Sequence, residues 1–203
     1  MGKRKAQFER KSKETQIKAE LTIDGTGQAN IKTQIGLLDH MLELFAFHGL
    51  FDLNLNVEKA DLQIDIHHTN EDVGIVLGKL FKEALGEKLG VCRFGVGFSP
   101  MESTLGRTVV DLSGRGYFSM RTPGFDGSIK DQENYSMKHL EHFLESFAHG
   151  LDATINVTIE NADEDLHTNT ETVFKSLGLA LDQATQMDPR RKSAVPSTKG
   201  IID

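Results

Sequence analysis

The stretch DIHHTNED, residues 65–72, places two adjacent histidines shortly before a glutamate, and a near copy of it, DLHTNTET, occupies residues 165–172. A second pair of matched segments precedes them, LDHMLELFAFHGL at 38–50 and LEHFLESFAHGL at 140–151. Both pairs occur in the same order and at a similar separation. Repetition of this length indicates an internal duplication, so the chain is predicted to consist of two related halves.

Hydrophobic periodicity assigns the same kinds of element to both halves. Residues 16–24, 51–57 and 153–160 alternate apolar and polar side chains, which is typical of half-buried strands. Residues 38–50 and 140–151 instead repeat apolar side chains at helical spacing. Further strands are predicted at 30–35, returning after the turn at Asp24-Gly25, and at 61–66.

Two longer helices are expected after the histidine motifs. Thr69 and Asp72 match a capping box, which predicts a helix from there to about residue 89, and another is expected from Glu171 to about Gln186. Residues 91–120 favour strands, and 121–135 favour a surface loop. The predicted fold is α+β and internally duplicated, with repeats at 1–90 and 91–190 forming one compact catalytic unit, helices packed between two mixed sheets, and a tail at 191–203.

Composition narrows the classes of function. The net charge of −7 disfavours a general nucleic-acid binder, and the basic start MGKRKAQFERKSKET is interpreted as a solvated chain end. No long apolar run follows it, so neither a secretory signal nor a membrane helix is expected. The single cysteine, Cys92, excludes an internal disulfide and fits a cytoplasmic protein.

Imidazole and carboxylate groups are the ligands that Mn, Fe, Co, Ni and Zn accept. On a helix, His68 and Glu71 share a face, whereas the adjacent His67 points in another direction. The motif can therefore serve one ion or two neighbouring ions. With His40 and His142 from the preceding helices, the two halves offer eight candidate positions, of which one is occupied by a threonine.

A resemblance to one family rests on motifs spread along almost the whole chain. DHML, HHTNEDVGIVLG, VDLSGRGY, EHF, ETVFK and PSTKG occur in this order. The chain resembles the imidazoleglycerol-phosphate dehydratases, lyases of histidine biosynthesis. The resemblance implies halves of the ribosomal protein S5 domain 2-like type. It also implies dehydration of imidazole glycerol phosphate to imidazole acetol phosphate, with two manganese ions (Mn2+) holding the substrate ring as an imidazolate.

The same resemblance implies a homo-oligomer of about 24 subunits, with active sites between them. It assigns the metal ligands as His40, His67, His68, Glu71, His142, His167 and Glu171. It assigns catalytic roles to Glu14, His68 and Glu171. The substrate-binding residues that it implies are Glu14, His48, Arg93, Glu102, Arg115, Lys175, Ser197 and Lys199.

Thr168 departs from the family pattern, which has a second histidine at this position. A threonine hydroxyl is a poor ligand beside imidazole, although T-x-x-E is also a capping box. Water filling the gap, a swing of Asp165 into it, and a weakened site all remain open. So do two other functions, namely a catalytically weakened paralogue and a binuclear phosphoesterase, which would release phosphate.

Overall fold

The computed structural model describes residues 3–125, 128–132, 134–192 and 194–202. The first half of the chain forms β1 (Lys5–Lys11), β2 (Gln16–Thr22), β3 (Ala29–Lys32), α1 (Gly36–Gly49), β4 (Asp52–Lys59) and α2 (Ile66–Leu85). The second half repeats this order as β5 (Phe94–Met101), β6 (Thr104–Asp111), β7 (Tyr117–Arg121), α3 (Met137–Leu151), β8 (Thr154–Glu160) and α4 (Leu166–Thr185).

Each half contributes one mixed four-stranded sheet, and the two sheets have the same topology. The strand orders are β1-β2-β4-β3 and β5-β6-β8-β7. In both sheets the first three neighbours run antiparallel, and the last pair, β3 with β4 or β7 with β8, is parallel. The parallel pair is joined by a helix, as a parallel connection requires. The predicted α+β duplication with two mixed sheets is confirmed.

The four helices lie between the sheets and pack across the two halves, α2 against α3 and α1 against α4. Glycines permit the close approach. A Cβ at Gly78 would lie 2.5 Å from the Phe147 carbonyl oxygen, and a Cβ at the matching Gly178 would lie 2.6 Å from that of Phe45. The fully buried rings of Phe45, Phe81 and Phe147 pack edge to face at the centre of this layer.

The N-terminal segment corrects one prediction. Residues 5–11 were expected to belong to a solvated end, but they form β1, the edge strand that pairs antiparallel with β2. Its side chains alternate between exposed and half-buried, because an edge strand covers helix α2 with one face only.

The segment 30–35 contributes only β3, which pairs parallel with β4 rather than returning as a hairpin.

The motif region corrects three more predictions. Residues 61–66 are a turn leading into α2, not a strand. The helix starts at Ile66 with Asp65 as its N-cap, so the capping box at Thr69 and Asp72 is wrong. Helix α4 likewise starts at Leu166, five residues before the expected Glu171, with Asp165 as N-cap.

No helix in the described part of the chain is long and apolar enough to cross a membrane.

Candidate metal centre and active site

One set of candidate ligands lies where α1 meets α4, and is called here the α1–α4 set: His40, His167 and Glu171. The Nε2 atom of His167 lies 3.1 Å from the Glu171 carboxylate, and Nε2 of His40 lies 3.6 Å from it. The rings of His40 and His167 stack with centroids 5.3 Å apart. One ligand atom from each residue lies within 4.8 Å of the other two, so the three side chains converge on one point.

The second set lies where α2 meets α3, and is called the α2–α3 set: His67, Glu71 and His142. The Nδ1 atoms of His67 and His142 are 2.9 Å apart. The other ring nitrogen of His67, Nε2, lies 3.6 Å from the Glu71 carboxylate. His67 thus turns a different nitrogen towards each neighbour, so this set is close together but does not converge on one point.

Each set combines one histidine from one half of the chain with the histidine–glutamate pair of the other half. His40 is in the first half and its partners are in the second, whereas His142 is in the second half and its partners are in the first. This exchange follows from the packing, because α1 lies on α4 and α3 lies on α2. The N-caps then fix the motif ends, since Asp65 and Asp165 accept hydrogen bonds from the backbone of His67 and His167.

The ring of His68 packs edge to face on that of His67, with centroids 5.8 Å apart, but its Nδ1 belongs to another cluster that sequence reasoning did not find. Its Nδ1 is 2.9 Å from the Asp61 carboxylate, and ligand atoms of Glu14, Asp61 and His68 all lie within 4.8 Å of one another. The hydrogen bond to Asp61 raises the pKa of His68. Asp61 was missed because its segment was read as a strand. The signal that could have found it is a carboxylate at the turn just before the helix.

Thr168 is bonded to Asp165, the N-cap of α4. Its hydroxyl donates to Asp165 at 3.0 Å, and its amide donates to the same carboxylate oxygen at 3.2 Å. Burial raises the pKa of Asp165, but the hydrogen bonds from Thr168 together with the hydrogen bond and charge of His167 outweigh it and hold that pKa below its usual range. The position of His68, an expected ligand in the first half, therefore carries in the second half a threonine that bonds the N-cap of α4.

The donor atoms of the α1–α4 set and of the α2–α3 set suit a divalent transition metal. Imidazole nitrogens with carboxylate oxygens suit such ions, and the converged α1–α4 set gathers three donor atoms in one place. Glu171 is 13% exposed. Burial raises its pKa, but the hydrogen bonds and charges of Lys175 and His167 together outweigh burial and leave the pKa lowered. An ionised carboxylate beside two histidines is what a metal ion requires.

Two of the expected substrate-binding residues flank the α1–α4 set. Lys175, one turn after Glu171 on α4, donates to its carboxylate at 2.5 Å. His48, in the last turn of α1, is half-buried, and burial lowers its pKa, with a further decrease from the Lys175 ammonium. Positive charge therefore borders this set on one side.

Arg93 holds the C-terminal tail against the second sheet. Its Nε donates to Asp111 at 2.7 Å and its Nη2 to the other oxygen of that carboxylate at 3.2 Å. Its Nη1 donates to the Pro196 carbonyl at 3.0 Å. Hydrogen bonding to Asp111 raises the pKa of Arg93. Sequence reasoning missed Asp111. Only the pairing of β5 with β6 brings Asp111 next to Arg93.

The remaining expected substrate-binding residues lie at loops and at the tail. Ser197 accepts the Lys199 amide at 3.2 Å, and the Lys199 side chain is exposed. Arg115 follows β6, with its amide and carbonyl both bonded to the Ser113 hydroxyl. Glu102 lies exposed in the turn between β5 and β6 with φ of 51°. These placements bring Ser197 and Lys199 together but leave Glu102 at a separate turn.

The duplicated α+β fold brings crossed histidine–carboxylate sets together at its helix interfaces, and these residue types could hold divalent metal ions. The sequence profile of the family described as imidazoleglycerol-phosphate dehydratase matches residues 33–181. The chain belongs to the imidazoleglycerol-phosphate dehydratase family.

Relatives of that name match along the full chain. The protein from Thermoanaerobacter sp. (strain X514) is 46% identical over 201 residues, 98% of this chain and 100% of the relative. That from Bacillus subtilis (strain 168) is 45% identical over 200 residues, with the same coverage. The crystal structure of the Staphylococcus aureus enzyme is 30% identical with a TM-score of 0.77, covering 91% of this chain and 99% of that one.

The structure of the Pyrococcus furiosus enzyme in complex with (S)-C348 is also similar. It is 35% identical and has a TM-score of 0.79, with 96% of this chain and 99% of that one covered. Since each relative is matched over essentially its whole length, the likeness extends to the complete duplicated unit and not to one half of it.

Proposed function

We propose that this chain dehydrates imidazole glycerol phosphate to imidazole acetol phosphate in histidine biosynthesis, with two manganese ions, as a cytoplasmic homo-oligomer of about 24 subunits. The observation that carries the proposal is the pair of crossed ligand sets, His40 with His167 and Glu171, and His142 with His67 and Glu71. Family membership supplies the substrate and the reaction.

Two divalent ions, when bound, would act as Lewis acids that favour the anionic form of the substrate's imidazole ring. The chain's own contribution is to hold the ligands His40, His67, His68, Glu71, His142, His167 and Glu171. Two helix interfaces present two ligand sets, which matches a ring that offers two nitrogens. Duplication of the fold thus provides one set for each side of the ring.

His68 supports an active site shared between subunits. Within its own chain its ring packs beside His67, but its ligand atom groups with those of Asp61 and Glu14. We therefore assign His68 as a ligand supplied to a neighbouring copy, with Glu14 reaching the substrate in the same way. Asp61 then orients His68, because it bonds Nδ1 and leaves Nε2 to face outward.

Proton transfer falls to the carboxylates in this proposal. Glu171 has a lowered pKa, so it is ionised near neutral pH and can accept a proton or remain a ligand. Glu14 is exposed in the turn before β2, where it can approach a bound substrate. Lys175 holds the Glu171 carboxylate and keeps it oriented towards the two histidines.

The substrate's phosphate needs local cations because the protein carries a net charge of −7. We assign this role to Lys175, Arg115, Ser197 and Lys199, with His48 and Glu102 near the substrate. Arg93 contributes by anchoring the tail through Pro196, which keeps Ser197 and Lys199 beside the second half. A planar guanidinium suits this bidentate anchoring of Asp111.

The two halves are proposed to be copies of one ancestral unit, at residues 1–90 and 91–190, with 191–203 as a substrate-binding tail. The repeated strand order supports this division. Because each ligand set takes residues from both copies, neither copy would form a complete site alone.

The test is turnover of imidazole glycerol phosphate by chelator-stripped protein with and without added Mn2+. Formation of the acetol phosphate only with metal, and without free phosphate, supports the dehydratase. Release of inorganic phosphate would instead identify a binuclear phosphoesterase.

One observation favours a second candidate, the catalytically weakened paralogue. Thr168 occupies a ligand position and its hydroxyl is used by Asp165. This candidate predicts an assembled, manganese-loaded protein with no product in the same assay.

A further inference from the structure

The turn between β1 and β2, residues 12–15, carries Glu14 at its tip and is closed by its own hydrogen bonds. The Ser12 amide donates to the Thr15 carbonyl at 2.9 Å. The amides of Glu14 and Thr15 both donate to the Ser12 hydroxyl, at 3.1 and 3.0 Å. From β4, the Lys59 ammonium donates to the carbonyl of Lys13. These hydrogen bonds make the turn compact. Its position relative to the helices depends on its contacts with the helix layer.

That connection is made by Thr15 and Asp72, which is the residue after Glu71 on α2. Thr15 is completely buried and donates its hydroxyl to Asp72 Oδ2 at 2.5 Å. The other carboxylate oxygen of Asp72 lies 2.8 Å from Nη2 of Arg10 on β1. Asp72 itself is only 6% exposed, so both of its oxygens are bonded away from solvent. Charge-assisted hydrogen bonds in such surroundings are strong and costly to break.

The other half of the chain does without this connection. Thr172 stands at the position that matches Asp72, and its hydroxyl donates to the Asn169 carbonyl of its own helix at 2.8 Å. There β5 ends at Met101 and β6 starts at Thr104, so the turn is two residues long. The matching helix and sheet of the second half therefore form without a carboxylate at this place.

We infer that Asp72 is a positioning residue, which acts through Thr15 to hold Glu14 at a fixed place relative to the ligand helix α2. The inference rests on the proposed role of Glu14 in substrate binding. Glu71, a proposed ligand, and Asp72 are consecutive on α2, so one helix fixes a metal ligand with one residue and the substrate-contacting turn with the next. Arg10 fixes the Asp72 carboxylate from the strand side.

The kinetic test uses Thr15→Val and Asp72→Asn in the assembled, manganese-loaded protein. Both variants are expected to lower kcat/KM by about 10- to 100-fold, because a displacement near 1 Å of a substrate-contacting group costs that much. Manganese content and assembly are expected to remain at the wild-type level. Thr15→Ser keeps the hydroxyl and is expected to restore activity.

A double-mutant cycle separates positioning from a general loss of structure. In the Glu14→Gln background, Thr15→Val and Asp72→Asn are expected to cause little further loss, because the group they position is already gone. Equal losses in both backgrounds would overturn the inference. Thr185→Val is the matched control, since it removes a buried hydroxyl that bonds the Asp182 carbonyl within α4.

A measurement without activity keeps this inference separate from the proposed function. Hydrogen exchange of the amides of residues 12, 14 and 15 is expected to become faster in Thr15→Val and Asp72→Asn. Unchanged exchange would show that the turn does not depend on the connection, and would overturn the inference even in an active enzyme. A wild-type protein without dehydratase activity would refute the proposed function, while the exchange result would still decide whether α2 holds the turn. If Asp72→Asn does not fold, the Thr15 variants decide.

Discussion

The two ligand sets are built from matching residues, yet only one of them converges. In the α1–α4 set, His40 and His167 both turn Nε2 towards the Glu171 carboxylate. In the α2–α3 set, His67 bonds His142 through Nδ1 and faces Glu71 with Nε2. Sequence repetition therefore does not ensure equal geometry.

The difference between the sets has an identifiable source. In the α1–α4 set, Lys175 binds the Glu171 carboxylate and turns it inward, and the carboxylate is 13% exposed. The matching Glu71 is 44% exposed, and the residue at the position of Lys175 is Ile75. A carboxylate without a cation on its own helix face is freer to turn into water, so the second set depends more on what binds to it.

Removal of a ligand histidine is expected to have the largest effect. His167→Ala and His67→Ala should each lower kcat/KM by more than about 100-fold, because removing even a partner of a ligand costs about 10- to 100-fold. Both should also lose manganese and disrupt assembly, since the site is proposed to lie between subunits. Metal analysis and size-exclusion chromatography measure this, with the exposed His149→Ala as control. Normal assembly and metal content in both variants would refute an interfacial site.

The helix interfaces that carry the two sets can be disturbed without touching a ligand. Gly78→Ala and Gly178→Ala each place a Cβ within 2.6 Å of a facing carbonyl oxygen. Each should destabilise the protein by about 1–3 kcal/mol, the usual cost of overpacking. Urea denaturation measures the loss. If one variant were neutral, the two interfaces would not be equivalent in packing.

Thr168→His tests whether the second half lacks a ligand. The histidine should raise the affinity for one of the two manganese ions by about 10-fold, the scale of changes around a metal site. Calorimetric titration of the chelator-stripped protein with Mn2+ measures it, and Thr168→Ser, which keeps the bond to Asp165, is the control. An unchanged titration would show that another group already fills the position.

The C-terminal tail is fixed to the second half through Arg93 and Pro196. Lys199→Ala should raise KM by about 10-fold or less, with kcat changed little, because a single charged hydrogen bond to the phosphate is lost. Steady-state kinetics decides. An unaltered KM would remove Lys199 from the phosphate site.

The smallest effect expected is a shift in the pH dependence of metal uptake. Asp61 raises the pKa of His68 above its ordinary 6.5, and a protonated ring cannot bind metal. Manganese binding should therefore fall as the pH drops through that raised pKa. In Asp61→Asn the fall should occur at lower pH, since the proton is held less firmly. A midpoint that stays the same in manganese titrations from pH 5 to 8 would contradict the assignment.

The sequence alone determined the duplication and the fold class, and it predicted the ligand residues. HHTNE and HTNTE, like the helices before them, are local sequence patterns. Their hydrophobic periodicity and their residue types are visible in the sequence without knowledge of the fold. The same local reading failed where a tertiary contact overrode it. A basic chain end is expected to be solvated, but pairing with β2 makes residues 5–11 a strand.

Only the tertiary structure decided which ligands meet. His40 lies beside His167 and not beside His67, because α1 packs on α4 through Gly178. Asp72 and Asp111 likewise bond residues that are distant in the sequence. Asp61 bonds His68 from a turn that the sequence analysis predicts as a strand. Side-chain type sets what a residue can bind. The groups that a residue actually contacts depend on which helix faces are buried against each other, and the packing of the whole chain determines those faces.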